Sequence, residues 1–170
     1  TTGIVAATLD VATPLTKATV DALADVKATD AITFKPTAPT ATTADAASLV
    51  AIKKIIKTAD FTEVDTITAA AADVALVKEA LKYGEVVATV AVTINGEISA
   101  ADASAIAYDS VLTATIADGT VAATLKAIKG KVGVGDVITF KTTDTTVKAT
   151  ELKDLDDLDI FGSVVSFLMA

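Results

Sequence analysis

The sequence predicts an α/β fold, a βα-repeat solenoid with a parallel sheet on one side and helices on the other. Three observations predict it. The string Asp30-Ala31-Ile32-Thr33-Phe34-Lys35-Pro36 returns 106 residues later as Asp136-Val137-Ile138-Thr139-Phe140-Lys141-Thr142, and such self-similarity is the mark of stacked structural units. Short β-branched runs start near Ile4, Ala31, Val64, Val86, Val111, Val137 and Ile160, at intervals of 22 to 33 residues, most of them near 25. Between each pair lies a stretch whose apolar residues recur at three or four positions, the spacing of a helix face. A β-sandwich with inserted helices is the alternative fold the same strands allow.

Taken in order, each helix has a recognisable start. Thr13-Pro14 offers an N-cap with Pro at the first helical position, where its missing N–H costs nothing. Leu15, Thr19, Ala22, Leu23 and Val26 then share a face. Thr42 or Thr43 caps the second helix, with Leu49, Ile52 and Ile56 as its stripe. Thr68 opens the third, which carries Val74, Val77 and Leu81 and stops at Gly84. Ser99 with Asp102 forms a capping box that uses Asp where Glu is usual. Thr120 precedes Val121, Leu125 and Ile128, stopped by Gly130, and Thr145 or Thr146 precedes Val147, Leu152 and Leu155.

The strands alternate. Leu112, Ala114 and Ile116 are expected to face the helices, with Thr113 and Thr115 facing out. In both copies of the repeated string Ile and Phe point in while Thr and Lys point out. A strand buried on both faces does not carry those lysines. Asn95-Gly96 and Asp118-Gly119 are hairpin signals, but a helical pattern follows each, which favours a strand–turn–helix reading over a hairpin.

With 170 residues the chain is long enough for one domain, read here as a single repeat domain over 1–170 of about six to seven βα units. Hydrophobic residues make up 52% but aromatics only 4%, so the core is built from many small aliphatic contacts. Cys, His, Trp, Arg and Gln are absent. That removes the thiolate nucleophile, the imidazole base and the usual zinc or haem ligands. It also removes the bidentate guanidinium clamp for phosphate. A net charge of −8 disfavours a nucleic-acid partner. What remains is oxygen chemistry: carboxylates, hydroxyls and backbone groups, suited to Ca²⁺ or to carboxylate acid–base work. No acidic pair stands out and no aromatic platform for sugar is present, so the reading is of a non-enzyme with no cofactor, Ca²⁺ or Mg²⁺ being the ions that its oxygen donors suit. No apolar run is long enough for a transmembrane helix. The start at Thr1-Thr2 suggests a processed product or a piece of a longer protein.

Two segments resemble known repeats: Val92-Thr93-Ile94-Asn95-Gly96-Glu97-Ile98-Ser99-Ala100-Ala101-Asp102, and the stretch from Thr113 through Asp118-Gly119-Thr120 to Leu125. Their cadence of strand, Asx turn, Thr or Ser, then Ala-rich helix is similar to the degenerate repeats of large bacterial cell-surface and extracellular structural proteins. The resemblance implies an extracellular or cell-surface location and a structural or adhesive role. The Gly/Asp nonapeptide calcium repeats that often accompany such proteins are missing, so calcium binding is not implied with it.

Four candidate features follow. The outward Thr residues, best at Thr113-Ala114-Thr115, could order water or a mineral surface, although Thr is also simply a good strand former. Asp10, Asn95, Asp118 and Asp144 near strand ends are weak Ca²⁺ candidates if they stack into a ladder; ordinary turn chemistry is the competing reading. Asp154, Asp156, Asp157 and Asp159 form a dense acidic run, read as a solvated helix face or a calcium or partner contact. The two ends are apolar: Ile4 and Val5 at one, Val164, Val165, Phe167 and Leu168 at the other. Non-identical sticky ends on a sheet make a heterologous contact, which repeats into a filament or lattice with copies of the same chain as partners. On the sandwich alternative, a pilin-like strand donation would serve the same end.

Overall fold

The structure is a computed structural model and describes residues 6–11, 15–27, 29–36, 42–83, 89–128, 130–133, 135–156 and 164–168. It is an α/β fold. Strands and helices alternate as β1 (Ala6–Val11), α1 (Lys17–Ala22), β2 (Ala31–Pro36), β3 (Thr42–Asp45), α2 (Ala46–Ile55), β4 (Val64–Ala70), a 3₁₀ turn (Ala71–Asp73) running into α3 (Val74–Ala80), β5 (Ala91–Ile98), α4 (Ala100–Ala107), β6 (Val111–Gly119), α5 (Val121–Ile128), β7 (Val137–Thr142), α6 (Ala149–Asp156) and β8 (Val164–Leu168).

The strands form a two-stranded sheet, β1-β2, and a six-stranded sheet in the order β3-β4-β5-β6-β7-β8. Every described pairing is parallel, so the sandwich alternative, which rests on antiparallel ladders, is not what the chain adopts. Spatial order follows chain order in each sheet, and every parallel pair is joined through an intervening helix. Leu15 links the two sheets: it makes a parallel bridge to Ala44 of β3, donating to Thr43 O at 3.0 Å and accepting from Asp45 N at 3.0 Å. Leu15 is four residues past Val11, whereas Ala44 is eight past Pro36. The first ladder thus breaks after Val11↔Pro36 and resumes with a longer path on the second strand.

One face of the six-stranded sheet is dry. Inward rows run Ala44–Ile67–Val92–Leu112 and Ile98–Ile116–Phe140 across successive strands, and all seven are buried. The helices pack on one another in chain order, α1 on α2 through to α5 on α6, and close over these rows with Leu49, Ile52, Val77, Ile106 and Leu125. The alternation expected for Leu112 to Ile116 and for Ile138 to Lys141 is observed: the aliphatic and Phe residues are buried, Thr113 and Lys141 exposed. Burying such side chains stabilises the fold by about 1.5–3 kcal/mol each.

Strands pass into helices with almost no loop, because the turning residue is also the cap. Asp45 accepts from Ser48 N at 3.1 Å, Ser99 Oγ from Asp102 N at 3.1 Å, and Thr120 Oγ1 from Ala123 N at 3.3 Å. These side chains satisfy N–H groups that the first helical turn leaves open. The Ser99–Asp102 pair is a variant box: the Ser hydroxyl also donates to the Asp carboxylate at 2.8 Å.

Several sequence expectations shift. Thr42 and Thr43 lie in β3 rather than capping α2, and Thr68 lies inside β4, with α3 starting only at Val74. Leu15 is a bridge residue, α1 is capped at Thr16, and α6 starts at Ala149. The fourth long strand spans Ala91–Ile98, later than the run near Val86. Asn95-Gly96 and Asp118-Gly119 are neither hairpins nor turns; they sit inside β5 and β6 where the ladder register shifts. There they supply the extra residues of bulges, and Gly96 (φ 113°) and Gly119 (φ 85°) take the positive φ that L side chains resist. Ile4, Val5, Thr13, Pro14, Gly84, Val86, Asp157, Asp159 and Ile160 lie outside the described residues.

Candidate functional site

Consecutive units are tied by polar groups 23 or 24 residues apart. Leu112 N donates to Asp136 Oδ1 at 2.6 Å, Val121 N to Asp144 Oδ2 at 2.8 Å, Thr142 Oγ1 to Gly119 O at 2.8 Å, and Ser104 Oγ to Ala127 O at 2.9 Å. Lys78 pairs with Asp102 across the same interval at 2.7 Å. The repeated string finds its structural meaning here. Asp136 Oδ2 accepts Gly133 N at 2.7 Å and Asp30 Oδ2 accepts Lys27 N at 2.9 Å, so in both copies the Asp closes the three-residue turn that feeds its strand. Asp136 is 2% exposed. Burial pushes its carboxyl above the ordinary range, against the opposing pull of its two N–H donors.

The four calcium candidates are not brought together. Asp10 stands opposite Lys35 in register and Asn95 opposite Ala70. Asp118 falls between the pairs Ile116↔Phe140 and Gly119↔Thr142. Asp144 caps α5 of the preceding unit, which is turn chemistry at a helix start. Among the described residues no group of three or more His, Cys, Asp or Glu side chains is arranged to hold a metal ion. Of the acidic run, Asp154 is exposed on α6.

The outward face of the sheet is more regular than the sequence indicated. One row runs Asp45–Thr68–Thr93–Thr113–Val137 and the next Glu97–Thr115–Thr139, and β8 stands in register with them at Val164 and Ser166. Thr68, Thr93 and Thr113 occupy the same position on three neighbouring strands, at the ~4.8 Å spacing of a sheet. Thr68 and Thr93 were hidden from sequence reasoning because the register between distant strands is not a local property. A cleft of about 330 Å³ between α1 and α2 is lined by Lys17, Val20, Asp45, Ala47, Ser48 and Ala51. Its polar groups are already engaged, Lys17 with Asp21 at 2.7 Å and Asp45 with Ser48.

The end candidates Val164, Val165, Phe167 and Leu168 lie on β8, which pairs with β7 over Val137↔Val164 to Lys141↔Leu168. Among the described residues β8 has no neighbour on its other side, and β1 has none besides β2. No described helix is long and apolar enough to cross a membrane. Comparisons of the chain with protein-family models, with curated proteins and with solved structures found no match.

Proposed function

We propose that the protein is a non-enzymatic structural subunit, built as a βα-repeat solenoid, that associates head to tail into a filament or surface lattice. The observation that carries this reading is the strand order: every described pairing is parallel, the two sheets run in chain order and are bridged by Leu15 and Ala44, and β1 at one end and β8 at the other are each paired on one side only among the described residues, as β2 also is. Such edges are templates for another strand. Because the two edges differ, their contact is heterologous and repeats without closing. An extracellular or cell-surface location follows from the resemblance of the Val92–Asp102 and Thr113–Leu125 segments to surface-protein repeats.

The test is negative-stain electron microscopy of the purified chain with and without Ca²⁺. Regular filaments or sheets are expected. Val164→Lys with Ser166→Lys, positions in register with the outward-row residues Val137 and Thr139, places two like charges on the β8 edge and is expected to abolish the polymers while far-ultraviolet circular dichroism stays that of the wild type. Polymers that survive the double substitution refute the role of β8. A second reading, an adhesin or an ice- or mineral-binding module, is favoured by the aligned Thr68–Thr93–Thr113 row. Monodisperse particles under both conditions would select it.

A further inference from the structure

The ladder registers determine how two copies meet, given the end-to-end reading above on which this inference rests. We infer that β8 of one copy pairs in parallel with β1 of the next in the register Val164↔Ala6, Val165↔Ala7, Ser166↔Thr8, Phe167↔Leu9 and Leu168↔Asp10.

Three observations lead to it. All described ladders are parallel, so a strand added in the same sense continues the sheet and keeps the next helix layer on the same side. Length then limits the registers. β8 has five residues and β1 six, so only two parallel registers lay the whole of β8 against β1: Val164 beside Ala6, or Val164 beside Ala7. Parity decides between them, since a one-residue slip moves every side chain to the opposite face. Within the chain Ser166 stands in the row of Thr115 and Thr139, and Phe167 in the row of Ile116 and Phe140. On β1, Thr8 stands opposite Thr33 and Leu9 opposite Phe34. Only the first register carries the hydroxyl row from Thr139 through Ser166 and Thr8 to Thr33. It also carries the apolar row from Phe140 through Phe167 and Leu9 to Phe34. The second sets Phe167 beside Asp10 and Ser166 beside Leu9.

The repeated string gains a further sense from this junction. In this register β7 flanks the junction on one side and β2 of the next copy on the other, so the strands on both sides carry the same Ile-Thr-Phe-Lys string. The charged positions fall in one row as well, Lys141–Leu168 meeting Asp10–Lys35.

The absence of cysteine makes the register measurable. Directly opposed strand positions lie about 4.7–4.9 Å apart, inside the ~4.4–6.8 Å Cα separation a disulfide accepts. Thr8→Cys with Ser166→Cys in one chain is expected to give, on mild oxidation, a ladder of covalent oligomers on a non-reducing gel. Ala6→Cys or Asp10→Cys combined with Ser166→Cys, displaced two residues either way, is expected to give none. If a double variant does not fold as the wild type does by circular dichroism, mixing the two single variants replaces it and a covalent dimer is the readout. Wild-type filaments with cross-links only in a displaced pairing, or in none, overturn this register and leave end-to-end assembly standing. Absence of both filaments and cross-links in every pairing overturns assembly itself.

Discussion

Asp136 offers the sharpest test of how the units are held together. It stands two residues before Ile138 as Leu112 stands two before Ala114, and Ala114 is the register partner of Ile138. It therefore continues the inward row that holds Ile67, Val92 and Leu112, and it is buried. A carboxylate there has two opposing effects. Burial disfavours its charge, while its oxygens take Leu112 N at 2.6 Å and Gly133 N at 2.7 Å. A buried N–H left without its acceptor costs about 1–3 kcal/mol. Asp136→Leu restores an apolar residue to the row, a gain of about 1.5–3 kcal/mol, but removes both acceptors, for a net loss of about 2 kcal/mol. Asp136→Asn keeps one oxygen and turns its NH₂ toward the other donor, for a loss of about 1 kcal/mol. The expected order is wild type, then Asn, then Leu. In urea, with a slope of about 2 kcal/mol per M, the Leu variant should unfold about 1 M earlier. A Leu variant as stable as the wild type would show that burying the charge costs more than the two bonds return, and would refute the latch. The sign with pH is determined too. The folded state binds the Asp136 proton more tightly than the unfolded one, so the stability it confers is full below the ordinary carboxylate range. That stability falls as pH rises through the raised folded value. The gap between wild type and Asp136→Asn should therefore narrow from acid to neutral pH.

Two further outcomes check other parts of the fold. Gly96 has φ 113°, and a Cβ there would come 3.1 Å from Ala71 Cβ, while one at Gly119 (φ 85°) meets nothing within 4 Å. Gly96→Ala is expected to lose about 2 kcal/mol and to melt at lower temperature than Gly119→Ala. Asp102 is held below the ordinary carboxylate range first by its bond to Lys78, then by Ser99. Lys78→Met should raise the Asp102 midpoint in an NMR titration. Stability should change by less than about 1 kcal/mol, because the pair is about one-third exposed. The contribution of Asp102 is present above its unfolded value and is lost as pH falls through the depressed folded one.

Much of the fold was legible because its units repeat a two-residue alternation followed by a helical stripe. Leu112, Ala114 and Ile116, and Ile138 and Phe140, announce a dry face; Ser99 and Thr120 announce helix starts. What was not legible depends on neighbours in space. Thr42-Thr43-Ala44-Asp45 has the look of a cap cluster, and Asp45 does cap α2. Its strand character comes from the ladder to β4 and from the Leu15 bridge. Asn95-Gly96 and Asp118-Gly119 carry the same local propensity in a turn as in a bulge; only the register of the flanking strands decides. The Thr68–Thr93–Thr113 row needed the same register before it could be seen.

That dependence on neighbours bears on where function lies. In the middle of the sheet each strand is satisfied from both sides, and polar side chains 23 or 24 residues apart add a second set of ties. In a stack of repeats, which is the architecture we propose, a unit draws its stability from its own contacts plus two interfaces. β1 and β8 have one described interface each, and β8 carries Val164, Val165, Phe167 and Leu168 without a charge. An end that lacks charges, bulges and proline lacks the devices by which exposed edges are usually blunted. In the contact we propose, a second copy would supply to β8 a parallel ladder and an apolar neighbour, Leu9 beside Phe167, to match the ladder and the Phe140 neighbour that β7 supplies on its other side.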